Sequence, residues 1–212
     1  PEEASLSFAA PSPGRDRRRS APSPVGPVDP VTPHEHRHRL LPAESGRALN
    51  RFPIQTAKVQ RPPLPAGILR RERLLDWLDT KVHSRVVLVT AEAGYGKTTT
   101  LADWSRRTRV RTLWYRLDED DGNWVSFLNY LVAAGREVDA GFAPNTGALL
   151  RELGTGGATR DTIVDSFLRE LPMLVAAAPL AMVFDDMHLV DGSGDVRLFF
   201  RDLLARVPER LT

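Results

Sequence analysis

One stretch decides most of what this chain can fold into: "RVVLVTAEAGYGKTTTLADW", Arg85 to Trp104. Its β-branched opening, Arg85–Thr90, suits a strand buried on both faces. A turn of small residues follows, then one of the chain's three lysines and three threonines that open a helix. The spacing Ala91-x4-Gly96-Lys97-Thr98 fits a phosphate-binding loop with alanine in the first glycine position. The residue types suit that chemistry. Gly94 and Gly96 permit positive φ and close approach of the backbone, so that N–H groups from Ala93, Tyr95 and their neighbours converge on phosphate oxygens. The helix N-terminus adds free N–H donors and a partial positive charge. Lys97 is placed to neutralise the β- and γ-phosphates and Thr98 to ligate Mg²⁺; Thr99 either touches the α-phosphate or simply starts the helix. The expected binding positions are therefore Ala91, Ala93, Gly94, Tyr95, Gly96, Lys97, Thr98 and Thr99.

Such a loop needs an acid at the end of another strand. "LAMVFDDMHLV" supplies Asp185 and Asp186 after an apolar run. A carboxylate at a strand's C-terminal edge lies beside the phosphate loop and holds Mg²⁺ through water, and a second can orient the attacking water. Asp185 is the metal-side candidate. Asp186, with Lys97, is the catalytic one. His188 reads as a loop or half-buried histidine rather than a phosphate sensor. The run Asp118–Asp121 reads as a helix start, with Asp121 or Asn123 capping the helix from Trp124; a second metal site is the alternative. "GTGGAT" (Gly154–Thr159) has the composition of a phosphate cradle but no buried strand leading into it, so it reads as a loop.

The remaining pattern alternates strands and helices. "RRERLLDWLDTKV" places Leu74, Trp77, Leu78 and Val82 on one helical face. The loop helix turns Leu101 and Trp104 inward. "RTLWYRL" (Arg111–Leu117) reads as a strand. The next helix carries Trp124, Phe127, Leu128, Leu131 and Val132 at helical spacing. A Gly/Pro/Thr-rich stretch covers about 140–160, a helix lies near 161–171, and "LAMVFDD" is a further strand. A last helix lines up Val196, Phe199, Phe200, Leu203, Leu204 and Val207. Strands alternating with helices predict an α/β fold: a parallel sheet of the P-loop NTPase kind with flanking helices.

Composition sets the boundaries. Thirteen of the 17 prolines lie at or before Pro65, and segments such as "APSPVGPVDPVTP" have little apolar content to offset the entropy of ordering. Residues 1–52 are therefore expected to be a disordered Pro/Arg-rich tail and 53–212 the nucleotide-binding domain. "RDRRRS" (Arg15–Ser20) and "HEHRH" (His34–His38) read as solvated tail, not as a nucleic-acid arm or metal site. The net charge is only +2, weak support for nucleic-acid binding by the chain as a whole. There is no cysteine, which excludes a disulfide framework, a thiolate zinc site and a thiol nucleophile, and fits a cytoplasmic location. The uncharged run Leu171–Phe184 is shorter than the ~20 apolar residues of a membrane helix. No signal peptide is visible, and no membrane partner is expected. The first methionine is Met173, which suits a start inside a longer reading frame.

Together, "KVQRPPLPAGILRRERLLDWL", "VLVTAEAGYGKTTTLADW", "LWYRLDEDDGNWVSFLNYLVAA" and "LAMVFDDMHLV" resemble the nucleotide-binding module of MalT-type regulators. These are large LuxR-family transcription activators within the signal-transducing ATPases with numerous domains. The resemblance covers about Lys58 to Thr212; "LWYRLDEDD" and "RRERLL" carry most of its specificity. It implies an ATP/ADP- and Mg²⁺-dependent switch with slow hydrolysis, self-association in the ATP state, and promoter binding through a C-terminal helix-turn-helix. It implies that Ile68–Arg73 borders the adenine, with Arg71 contacting nucleotide. The family continues past the point matching Thr212 into a strand that lies between the loop-feeding strand and the strand ending in Asp185-Asp186. A domain ending at Thr212 is therefore expected to be C-terminally incomplete, with a gap in the sheet and weak ATP binding. A signalling ATPase with a non-DNA-binding effector, a phosphotransferase or motor ATPase, and a non-functional truncated remnant stand as alternatives.

Overall fold

The computed structural model describes residues 52–153 and 157–212. The expected tail to residue 51, with Arg15–Ser20 and His34–His38, lies outside the described residues, as do Gly154–Gly156 of "GTGGAT".

Two strands make the sheet. β1 (Arg111–Arg116) and β2 (Leu180–Asp185) are parallel, pairing Arg111 with Leu180 and Arg116 with Asp185 at the two ends of the register. Seven α-helices surround them among the described residues: α1 (Thr56–Val59), α2 (Glu72–Lys81), α3 (Lys97–Arg107), α4 (Trp124–Val138), α5 (Pro144–Arg151), α6 (Arg160–Ala176) and α7 (Gly194–Arg206). Short 3₁₀ turns follow each strand, at Glu119–Gly122 and Met187–Leu189. No described helix is long and apolar enough to cross a membrane.

Side-chain alternation along the strands gives each face its own core. Leu113, Tyr115 and Leu180 pack with α4, α6 and α7, where Phe127, Leu131, Ile163, Phe167, Leu171 and Phe199 are fully buried. Trp114, Ala181 and Val183 face the other way, onto Leu75 and Leu78 of α2 and Ala102 and Trp104 of α3. Helices on both faces of a parallel sheet are the α/β arrangement that the alternating pattern predicts.

The structure departs from that pattern in three places. Arg85–Thr90 forms no strand, and Val86 and Leu88 are 59% and 79% exposed. A strand needs a ladder partner for its N–H and C=O groups, and none of the described strands lies beside it. The loop-feeding run is left without a ladder partner among the described strands. On α2, Leu75 and Leu78 are buried while Leu74 and Trp77 stand exposed, so the buried stripe is turned one residue from the expected one. Within 140–160, α5 forms where only a loop-rich stretch is legible. Pro144 occupies its first turn, a position where the missing N–H costs nothing. The Glu170 carboxylate closes that helix's N-terminus, accepting from the backbone N–H groups of Asn145 and Thr146, both at 3.0 Å, and from Thr146 Oγ1 at 2.6 Å.

The far edge of β2 is partly covered by Arg210–Thr212. Pro179 and Asp185 turn their carbonyls to β1, whereas the N–H groups of Leu180 and Met182 donate to Arg210 O and Thr212 O, at 3.1 and 2.7 Å. Leu211 forms a parallel bridge to Leu180. Thr212 Oγ1 reaches across to Val82 O at 2.5 Å. These three residues therefore lie between β2 and the segment that leads to the loop.

Candidate functional site

The loop keeps the conformation its glycines permit. Gly94 and Gly96 have φ of 83° and 76°, values that cost an L-residue about 1–2 kcal/mol. Gly96 caps α3, and its carbonyl accepts from Thr100 N at 2.9 Å. Ala91–Tyr95 are exposed, and α3 begins at Lys97 with no side-chain cap on its first turn. Lys97 Nζ folds back over the turn, donating to Ala91 O at 2.7 Å and Glu92 O at 3.1 Å. Those two carbonyls are neutral acceptors, so the ammonium carries no counter-charge there. Arg71 stands at the same turn: a methyl group built on Gly96 would lie 4.0 Å from its guanidinium. The 68–71 segment is largely open to solvent there, with Leu69 86% exposed.

β2 brings the acidic pair to α3. Thr98 Oγ1 donates to Asp185 Oδ1 at 2.9 Å, joining residues 87 apart in sequence. Asp185 is 5% exposed, and its second oxygen, Oδ2, is buried without a hydrogen-bond partner. Burial pushes its carboxyl up from the usual range and the Asp186 charge adds to that push; the Thr98 hydroxyl and Arg116 oppose it. An orphaned carboxylate oxygen beside a neutral threonine hydroxyl is a pair of hard oxygen donors, the type that suits Mg²⁺. Asp186 turns out of the strand with φ 60° and ψ 33° and pairs with Arg116, Asp186 Oδ2 to Nε, at 3.5 Å.

The structure thus gathers Lys97, Thr98, Asp185 and Arg71 around one helix N-terminus, with Asp186 next to Asp185. Thr99 lies in the first turn of α3, and no contact of its side chain marks it out. His188 sits in the 3₁₀ turn after Asp186. A cleft of about 350 Å³ lined by Arg61, Arg106, Trp114 and Glu137 shares no residue with the loop.

The acidic run after β1 has a different task. Asn123 Oδ1 accepts from Val125 N at 2.8 Å and caps α4, as expected. Asp118 and Asp121 cap the 3₁₀ turn reciprocally, each side chain bonding the other's end of the turn. Sequence reasoning missed their partner. Lys58 of α1 inserts its ammonium between them, 2.9 Å from Asp118 and 2.5 Å from Asp121, with the Tyr130 ring 4.1 Å away. Burial would lower the Lys58 pKa, but the two carboxylates outweigh it and hold it raised. The signal was present as one of only three lysines lying in a stretch that the family resemblance includes. The Arg116–Asp186 pair was missed too, because only the strand register places Arg116 beside the acidic pair.

No protein-family model matches the chain. Among curated proteins it is 30% identical over 158 residues to the HTH-type transcriptional regulator MalT of Cronobacter sakazakii. It is 31% identical over 156 residues to the MalT regulator of Yersinia pestis. Each match takes in 74% of this chain and 17% of the relative, so the chain spans about one sixth of the length of the proteins it matches. Over the stretch it shares with them, this chain is a MalT-like relative of HTH-type transcriptional regulators.

Proposed function

We propose that these residues form the ATP-binding switch module of a MalT-like transcriptional regulator. The observation that carries the reading is the Thr98–Asp185 hydrogen bond, with Asp185 Oδ2 orphaned beside it. A buried carboxylate with an unsatisfied oxygen costs free energy. It is retained economically where a cation completes it.

In this reading the N–H groups of residues 93–98 and the α3 N-terminus receive the phosphates of ATP or ADP. Lys97 leaves the Ala91 and Glu92 carbonyls for the β- and γ-phosphates. Arg71 and the exposed 68–71 segment border the rest of the nucleotide. Thr98 and Asp185 hold Mg²⁺, which supplies charge neutralisation along the phosphate chain. Asp186 orients the attacking water, and slow hydrolysis resets the switch. By likeness to relatives named HTH-type regulators, promoter contact is assigned to a helix-turn-helix outside residues 1–212, and self-association to the ATP-bound form.

The test is calorimetry of Mg·ATP and ADP on the longest reading frame that contains these residues, wild type against Lys97→Ala. Tight binding that disappears in the variant supports the switch. A folded wild type that binds neither nucleotide sinks it.

A further inference from the structure

We propose that Arg116 is a positioning residue for Asp186, holding its carboxylate at the C-terminal edge of the sheet, next to Asp185. The inference rests on the nucleotide reading above and adds a residue to it.

Three observations carry it. The parallel register sets Arg116 level with Asp185, so β1 delivers a guanidinium to the same edge at which β2 delivers two carboxylates. Leu117 N donates to Asp185 O at 2.9 Å and fixes the two strand ends against each other. Second, Asp186 is one of two described non-glycine residues with positive φ. The other, Ala143, is fully buried, and its carbonyl is held by Arg136. Asp186 has no such burial to offset the strain of a left-handed conformation, and strained residues of this kind concentrate at functional sites. The turn carries the second carboxylate off the strand axis, so that Asp185 faces Thr98 while Asp186 meets Arg116. Third, the Arg116 side chain is 61% exposed and Asp186 is its ion-pair partner among the described residues. An exposed pair of this kind adds little to stability, so packing does not account for the arrangement. What the pair does provide is direction. A carboxylate that orients water loses effectiveness when it swings, and a cation on its flank restricts the swing.

The experiment uses the longest reading frame containing these residues and measures single-turnover ATP hydrolysis, ADP affinity by calorimetry and melting temperature. The variants are Arg116→Ala, Arg116→Lys, Asp186→Asn and the double variant Arg116→Ala/Asp186→Asn. Arg116→Ala is expected to slow turnover about tenfold, with ADP affinity within about twofold of wild type and an unchanged melting temperature. Arg116→Lys restores most of the rate. In the Asp186→Asn background the Arg116 change has no further effect, because it acts through that carboxylate. A wild-type rate in Arg116→Ala overturns the proposal. So does an equal slowing with and without Asp186, which would place Arg116 on the phosphate itself. A wild type that neither binds nor hydrolyses nucleotide instead removes the switch reading, and this inference falls with it.

Discussion

Residues 124–138 and residues 85–96 are both rich in apolar and small side chains, yet the first segment is core and the second stands open. In α4, Phe127, Leu128 and Leu131 are buried, and Phe127 lies against Phe184, Phe199 and Phe200. In the run before the loop, Val86 and Leu88 face solvent. Hydrophobicity does not separate them. A helix satisfies its own backbone, so α4 needs only a surface to pack on. A strand needs at least one neighbour to pair its backbone, and beside Arg85–Thr90 the described strands provide none. The end of this domain that carries the glycine turn stands open to solvent, while its helical face is buried. The same division suits a module in which ligand does part of the ordering.

The strongest way to break that comparison is to attack the buried ion cluster on the packed side. Asp121→Ala leaves the Lys58 ammonium next to Tyr130 with only the half-exposed Asp118 as counter-charge. Removing one partner of such a pair costs about 3–5 kcal/mol, to be read from urea denaturation. A loss below about 1 kcal/mol would mean the cluster is not a clamp.

A matched pair of truncations sharpens the contrast. Leu131→Ala, in a fully buried position, is expected to cost about 2–5 kcal/mol. Leu88→Ala, in the open run, is expected to stay within about 0.5 kcal/mol without nucleotide. Equal costs would show that the open run is packed in solution. Hydrogen exchange gives the ligand side of the same comparison: Mg·ATP should slow exchange at 91–98 and leave 127–132 unchanged.

Asp185→Asn separates stability from function. It removes a buried charge whose carboxyl is pushed up by burial while keeping an acceptor for Thr98. We expect the nucleotide-free protein to gain about 1 kcal/mol while Mg²⁺-dependent ATP affinity falls. A variant that is less stable and binds Mg·ATP as well as wild type would contradict both roles.

The smallest effect is one of acid. Burial pushes Glu170 up, but hydrogen bonds from Thr146 and Asn145 outweigh it and hold its carboxyl below the ordinary value of 4.5. A carboxyl lowered in the folded state contributes stability above its unfolded value, and that contribution is lost as pH falls through the folded one. Stability measured downward from pH 5 should therefore drop more steeply in wild type than in Glu170→Gln. Parallel curves would remove Glu170 from the account.

Much of the site was legible in the sequence because its chemistry is local. Gly94, Gly96, Lys97 and Thr98 lie within five residues, and positive φ, a helix start and a cation are all written in that span. Asp185 could be placed because an apolar run ending in acid marks the edge of a sheet. Lys58 with Asp121, and Arg116 with Asp186, could not be read in the same way. Each pair depends on which strand lies beside which, and on how a short α1 packs against Tyr130 of α4. The stripe on α2 was misjudged by one residue for a related reason: Leu74, Leu75, Trp77 and Leu78 all fit a helical face, and only the position of Trp104 and Trp114 selects Leu75. The strand at Arg85–Thr90 failed because its residues specify extended backbone but cannot supply the neighbouring strand.

By itself, then, the sequence determined most of the helices, the two paired strands, the glycine turn that opens α3 and the acid that meets Thr98, since these follow from periodicity and from the steric needs of glycine over a few residues. The tertiary structure alone decided which side chains meet across the sheet. It also decided which apolar run is buried, because burial and backbone pairing depend on surfaces that distant parts of the chain bring together.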